Sequence, residues 1–177
     1  KVKMISEVDD QAALISRLPM DQAFAVDLDE SKISAIDEVV WIQLSEAFYE
    51  RIYSDKDEWF QSIFSIVSKE DAIQNLYEYL IQRFGGETYY SQRKGPTTLM
   101  QRHLAIDMST RALKRWLLHM DDAIDTMEEH IDERTKTILM KFFLHMGSRF
   151  VAARQKAVDM SEIHTYEADE RVPSNNI

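Results

Sequence analysis

Between residues 37 and 54, Val40, Leu44, Phe48 and Ile52 recur at every fourth position, and Trp41 and Ala47 widen that stripe. This is the pattern of a helix with one buried face. An aromatic stretch with Trp59, Phe60 and Phe64 follows and is too short for a long helix. Ser68 then offers an N-cap, and Asp71 three residues on completes a start resembling a capping box. Ala72, Ile73, Leu76, Tyr77, Leu80, Ile81 and Phe84 form a wide apolar face that Gly85-Gly86 brings to a stop. Residues 87–97 read as a loop, and a short helical piece covers 98–103. Ser109 or Asp107 caps the next helix, whose inner face carries Ala112, Leu113, Trp116, Leu117, Met120, Ala123 and Ile124. The last long helix spans about 132–157 and buries Ile138, Leu139, Phe142, Phe143, Met146 and Phe150.

The ends differ from this middle. Residues 1–30 mix short apolar patches with acidic residues; Ala13, Leu14 and Leu18 could share one side of a short helix that Pro19 ends. Residues 158–177 are polar and acidic and read as a mobile tail. The predicted organisation is an N-terminal extension over 1–30, one all-α domain over 31–157 and a C-terminal tail over 158–177.

Composition supports that picture. The chain has 177 residues, 45% hydrophobic and 29% charged, with only four Gly and three Pro. That favours a single domain of long regular elements over a many-turned β fold. No apolar run approaches the roughly 20 residues that span a bilayer. The net charge of −10, without a basic cluster, argues against nucleic acid and anionic membrane as partners. Cysteine is absent, which removes disulfides and thiolate ligands and fits a reducing, cytoplasmic setting.

Candidate chemistry is sparse. The sequence has no phosphate loop, His-Glu-x-x-His pair or EF-hand. Of the five histidines, His130 and His164 fall in polar surroundings, while His119 and His145 adjoin apolar helix faces, where a hydrogen-bonded structural role is expected. His103 differs: it ends a short segment between a Gly/Pro loop and a capped helix, with Leu99 one turn earlier and Ile106 just after. A ligand there could meet a flat cofactor between two long helices, although a lone histidine is more often structural.

An ordered series of residues gives His103 a context. Phe48-Tyr49, Phe84-Gly85-Gly86, Tyr90, Arg102-His103 and Trp116-Leu117-x-x-Met120 resemble the signature of group II truncated haemoglobins. Lys69-Glu70-Asp71-Ala72-Ile73-Gln74-Asn75 and Tyr90-Ser91-Gln92-Arg93-Lys94-Gly95 are closer still to the plant and algal branch. The likeness covers about residues 37–150. It implies a 2-on-2 helical sandwich around haem b, with His103 as proximal iron ligand. It also implies Tyr49 in the distal pocket, and Trp116, thirteen residues beyond His103, on the distal side. Departures are Gly95-Pro96-Thr97 where the family has Gly-His-Pro, Asn75 for a basic residue near a propionate, and Leu76 where plant relatives often carry glutamine.

The resemblance implies further roles. The second nitrogen of His103 needs an acceptor to fix the ring, and a backbone carbonyl near Leu99 or Met100 is expected. Arg102 either pairs with a propionate or faces solvent. Tyr49 and Trp116 can donate hydrogen bonds to O2, which gathers negative charge on ferrous iron; each would contribute about 1–3 kcal/mol. Ala72 leaves the distal gate open. Phe48, Phe64, Leu76, Tyr79, Leu80, Leu99, Ile106, Leu113, Phe143 and Met146 complete the expected haem contacts. The implied function is tight binding and slow release of O2, with NO and CO as further ligands, by a monomer or homodimer. It suits gas sensing, or nitric oxide dioxygenase or peroxidase chemistry with an external reductase. The alternative is a helical interaction module that keeps a globin-like core without haem.

Overall fold

The computed structural model describes Ile33 and residues 35–169, with side chains through Met160. The predicted 13–18 helix and residues 170–177 lie outside the described residues. Seven α-helices and no strands occur among them: α1 Glu38–Tyr53, α2 Glu58–Ser62, α3 Lys69–Arg83, α4 Tyr89–Lys94, α5 Leu99–Leu104, α6 Thr110–Asp125 and α7 Glu133–Asp169. No described helix is long and apolar enough to cross a membrane.

The local signals act as expected. At the start of α3, Ser68 Oγ accepts from the Asp71 amide at 3.1 Å and donates to the Asp71 carboxylate at 2.9 Å. At its end Gly85 takes a φ of 97°, and the Gly86 amide closes back on Ile81 O at 2.9 Å. A Cβ on Gly86 would lie 2.6 Å from Ile81 Cγ2, so the second glycine is needed for close approach. Ser109, not Asp107, caps α6 by accepting from the Ala112 amide at 3.1 Å.

Helix α1 packs on α3 and α6, and α6 packs on α7. These four helices form the 2-on-2 sandwich, whose centre holds Trp41, Leu44, Phe48, Ile52, Leu80, Leu113, Leu117, Met120 and Leu139, each at most 2% exposed. At the crossing of α6 and α7, a Cβ on Gly147 would sit 2.2 Å from Leu113 Cδ1, so glycine sets how near these helices come. The short α5 lies against α7, and α4 against α3.

Two elements depart from the sequence expectation. Residues 87–97 are not all loop: α4 forms there because Tyr90 is buried and the Gln82 side chain grips Ser91. Its six residues are too few to register as a period, and Gly95, at φ 75°, ends it. The last helix also continues beyond 157 to Asp169. Its apolar stripe fades there, but no Gly or Pro interrupts the backbone before Pro173.

Candidate functional site

His103 sits on α5, and its Nδ1 lies 2.7 Å from Leu99 O. The carbonyl can only accept, so Nδ1 carries the proton and Nε2 keeps its lone pair. This is the kind of acceptor expected from the sequence. The imidazole stacks on Phe150 of α7, with centroids 4.0 Å apart and planes within 2°. Burial pushes the His103 pKa below its ordinary value, against the opposing effect of the Leu99 carbonyl. The neutral ring is therefore favoured, the form that ligates a metal. The sequence marks Phe150 only as a core residue; its part in orienting His103 leaves no spacing signal, because the two lie 47 positions apart.

A second group of candidate residues is aromatic: α1 carries Phe48 and Tyr49 and α6 carries Trp116. Phe48 is the hinge of this group: its ring lies 4.9 Å from Tyr49 and 4.7 Å from Trp116, whose indole also meets Phe143 at 5.3 Å. Neither the Tyr49 hydroxyl nor the Trp116 indole N–H bonds to another described residue, so both donors remain available. Burial, and then neighbouring Tyr53, raise the Tyr49 pKa far above the usual phenol value, so this hydroxyl stays a donor at every physiological pH. The Tyr53 hydroxyl donates to Val67 O at 2.8 Å and Phe64 O at 3.3 Å, which fixes the segment bearing Phe64.

The remaining expected contacts fall into two groups. Phe48, Ala72, Leu80, Leu113 and Phe143 are buried, whereas Phe64, Leu76, Tyr79, Leu99, Ile106 and Met146 are half-buried. Half-buried apolar side chains on α3, α5 and α7, with a free imidazole nitrogen and two unengaged donors, suit a flat apolar group ligated through nitrogen. The residues present fit haem.

Arg102 is exposed, as one of the two expectations had it, and is also engaged within the protein. Its Nη1 donates to the Tyr90 hydroxyl and its Nη2 to Lys94 O, each at 2.8 Å, and it lies over the Tyr90 ring. It is exposed yet engaged, tying α5 to α4. Asn75 accepts from Arg93 Nη2 at 2.9 Å, and Arg93 also pairs with buried Glu78 at 2.7 Å. A cation thus reaches the Asn75 face of α3 from α4, a pairing 18 residues apart that periodicity does not reveal. His119 has the structural role expected of it, with Nε2 2.5 Å from Asp55 Oδ2.

Known proteins resemble this chain in sequence and fold. The family model for bacterial-like globins matches residues 36–148. The two-on-two hemoglobin-3 of Arabidopsis thaliana is 42% identical over 151 residues, 85% of each chain. The group 2 truncated hemoglobin 3-1 of Lotus japonicus is 45% identical over 130 residues, 73% of this chain and 76% of that one. Among solved structures, the truncated oxygen-avid haemoglobin of Bacillus subtilis superposes with a TM-score of 0.58 at 28% identity, over 68% of this chain and 97% of that one. A thermostable hemoglobin from Thermobifida fusca has the same fold, with a TM-score of 0.58 at 24% identity over 64% of this chain and 89% of that one. The chain belongs to the bacterial-like globin family, among the group 2 truncated, two-on-two haemoglobins, which bind small gases at haem.

Proposed function

We propose that the chain holds O2 tightly and releases it slowly, with His103 as iron ligand and Tyr49 and Trp116 as hydrogen-bond donors to the gas. The observation that carries this reading is the state of His103: Nδ1 committed to Leu99 O at 2.7 Å, the ring parallel to Phe150, and Nε2 left to ligate. Haem, when bound, supplies an iron that takes a diatomic gas and draws negative charge onto it. The protein's own part is then to hold and to shield. Leu99 and Phe150 orient the imidazole, and half-buried Leu76, Ile106 and Met146 would cover the apolar faces of the haem.

Tyr49 and Trp116 act on the opposite side. Each has an unengaged donor beside the Phe48 ring, and hydrogen bonds to a charged acceptor in a dry pocket contribute about 1.5–3 kcal/mol. Two of them would slow release by several powers of ten. Ala72 is small and cannot donate, so the gas would enter past it without a polar gate. With no cysteine in the sequence there is no thiol for thioether attachment, which favours haem b held by ligation and packing. Slow release suits oxidation of nitric oxide by the held O2, or peroxide handling, with electrons from an external reductase, rather than bulk transport. The similarity to a haemoglobin described as oxygen-avid points the same way.

Stopped-flow O2 dissociation from the haem-loaded chain tests the reading. The parent should release O2 slowly, and Tyr49→Phe and Trp116→Phe should each speed release by roughly tenfold or more. Unchanged rates in both variants would remove the donor assignment.

A further inference from the structure

The turn after α1 contains a carboxylate with no role in the reading above. The Asp55 side chain is 2% exposed, yet charged. Arg115 of α6 grips it at two points, with Nε donating to Oδ2 at 2.7 Å and Nη2 to Oδ1 at 2.5 Å. His119 Nε2 approaches the same Oδ2 at 2.5 Å, and the Asp57 amide donates to Oδ1 at 2.8 Å. Helix α2 closes the assembly: Phe60, fully buried, stacks on the His119 ring at 5.6 Å and lies beneath the Arg115 guanidinium at 5.6 Å.

The placement of these partners matters more than their number. Arg115 immediately precedes Trp116, and His119 follows it by one turn. Asp55 lies six residues beyond Tyr49, just past the end of the same helix. The grip therefore joins the end of α1, which carries one donor, to the turn of α6 that carries the other. Between these helices the tilted aromatic contact of Phe48 with Trp116 is apolar and constrains orientation only loosely. A two-point guanidinium–carboxylate pair does have direction, and fixes rotation as well as separation.

Hydrogen bonds to a ligand weaken steeply once the donor moves by a few tenths of an ångström or tilts away. A site of this kind needs its donors held within about 0.5 Å. We propose that Asp55, gripped by Arg115 and His119, is a positioning residue of the gas pocket, which sets where Trp116 stands relative to Tyr49. The inference rests on reading those two residues as donors. The grip also stabilises the fold, since the Asp55 side chain is 2% exposed and held by Arg115, so the test reads the pocket separately from stability.

The test uses the full haem-loaded chain with Asp55→Asn, Arg115→Gln and Arg115→Lys, each alone and combined with Trp116→Phe. The infrared stretch of bound CO reports hydrogen bonding in the pocket, and O2 dissociation reports its consequence. Asp55→Asn and Arg115→Gln should shift the CO band in the direction Trp116→Phe shifts it and speed O2 release roughly tenfold, the effect of about one hydrogen bond. Arg115→Lys, which keeps the charge but not the fork, should fall between. In the Trp116→Phe background Asp55→Asn should add nothing, because the group it positions is gone. A lowered melting temperature with an unmoved CO band, or fully additive effects, would overturn the proposal and leave the donors standing. A silent Trp116→Phe would instead bring down the donor reading and the positioning role with it. Should Asp55→Asn fail to take up haem, the Arg115 variants alone decide, since that side chain is partly at the surface.

Discussion

The helices of the sandwich and the short helix that carries His103 are held by different means. Helix α6 buries Ala112, Leu113, Leu117, Met120, Ala123 and Ile124, and α1 buries Val40, Trp41, Leu44, Phe48 and Ile52. Helix α5 buries none of its residues fully, and His103 and Leu99 are half-buried. It is tied at its edges: Arg102 to Tyr90 and Lys94, Arg154 Nη1 to Leu104 O at 2.8 Å, and His103 flat on Phe150. The framework is stabilised by apolar burial. The element bearing His103, the proposed iron ligand, gains its stability from polar ties and would gain more from whatever binds against it, by mass action.

Truncations of equal size should separate the two regions most strongly. In the haem-free chain Leu117→Ala should cost about 2–5 kcal/mol in denaturant unfolding, the usual cost of a cavity in a full core. Leu99→Ala, on half-buried α5, should cost less than about 1 kcal/mol. An equal loss at both sites would mean that α5 is part of the core and would break the comparison. A smaller contrast lies in the caps. Ser68 caps α3 through its side chain, whereas Thr98 before α5 makes no such bond. Ser68→Ala should cost about 1 kcal/mol and Thr98→Ala a few tenths at most.

The same division explains what could be read from the sequence. Local signals were legible: the Ser68–Asp71 start and Gly85-Gly86 stop of α3, the cap at Ser109, and the apolar stripes of α1 and α6. The acceptor for His103 was legible too, because a carbonyl one turn back is a local partner. Long-range polar pairs were not. Nothing in the neighbourhood of Asp55 announces Arg115, 60 residues away, and Arg102 gives no sign that Tyr90 will accept from it. Helix α4 was hidden for another reason: its stability comes from Gln82 and the burial of Tyr90, not from a repeating apolar face. The extension of α7 to Asp169 reflects backbone continuity after the packing signal has ended. The family resemblance linked Tyr49, His103 and Trp116; periodicity alone would have assigned all three to structure.

The central claim is that His103 holds the haem iron, and the absorption spectrum of His103→Gly tests it most directly. The parent, mixed with haem, should show a sharp Soret band of a histidine-ligated iron. His103→Gly should lose that band, and added imidazole should restore it by entering the vacated position beside Phe150. A Soret band that is unchanged in His103→Gly, or a parent chain that takes up no haem, would contradict the account.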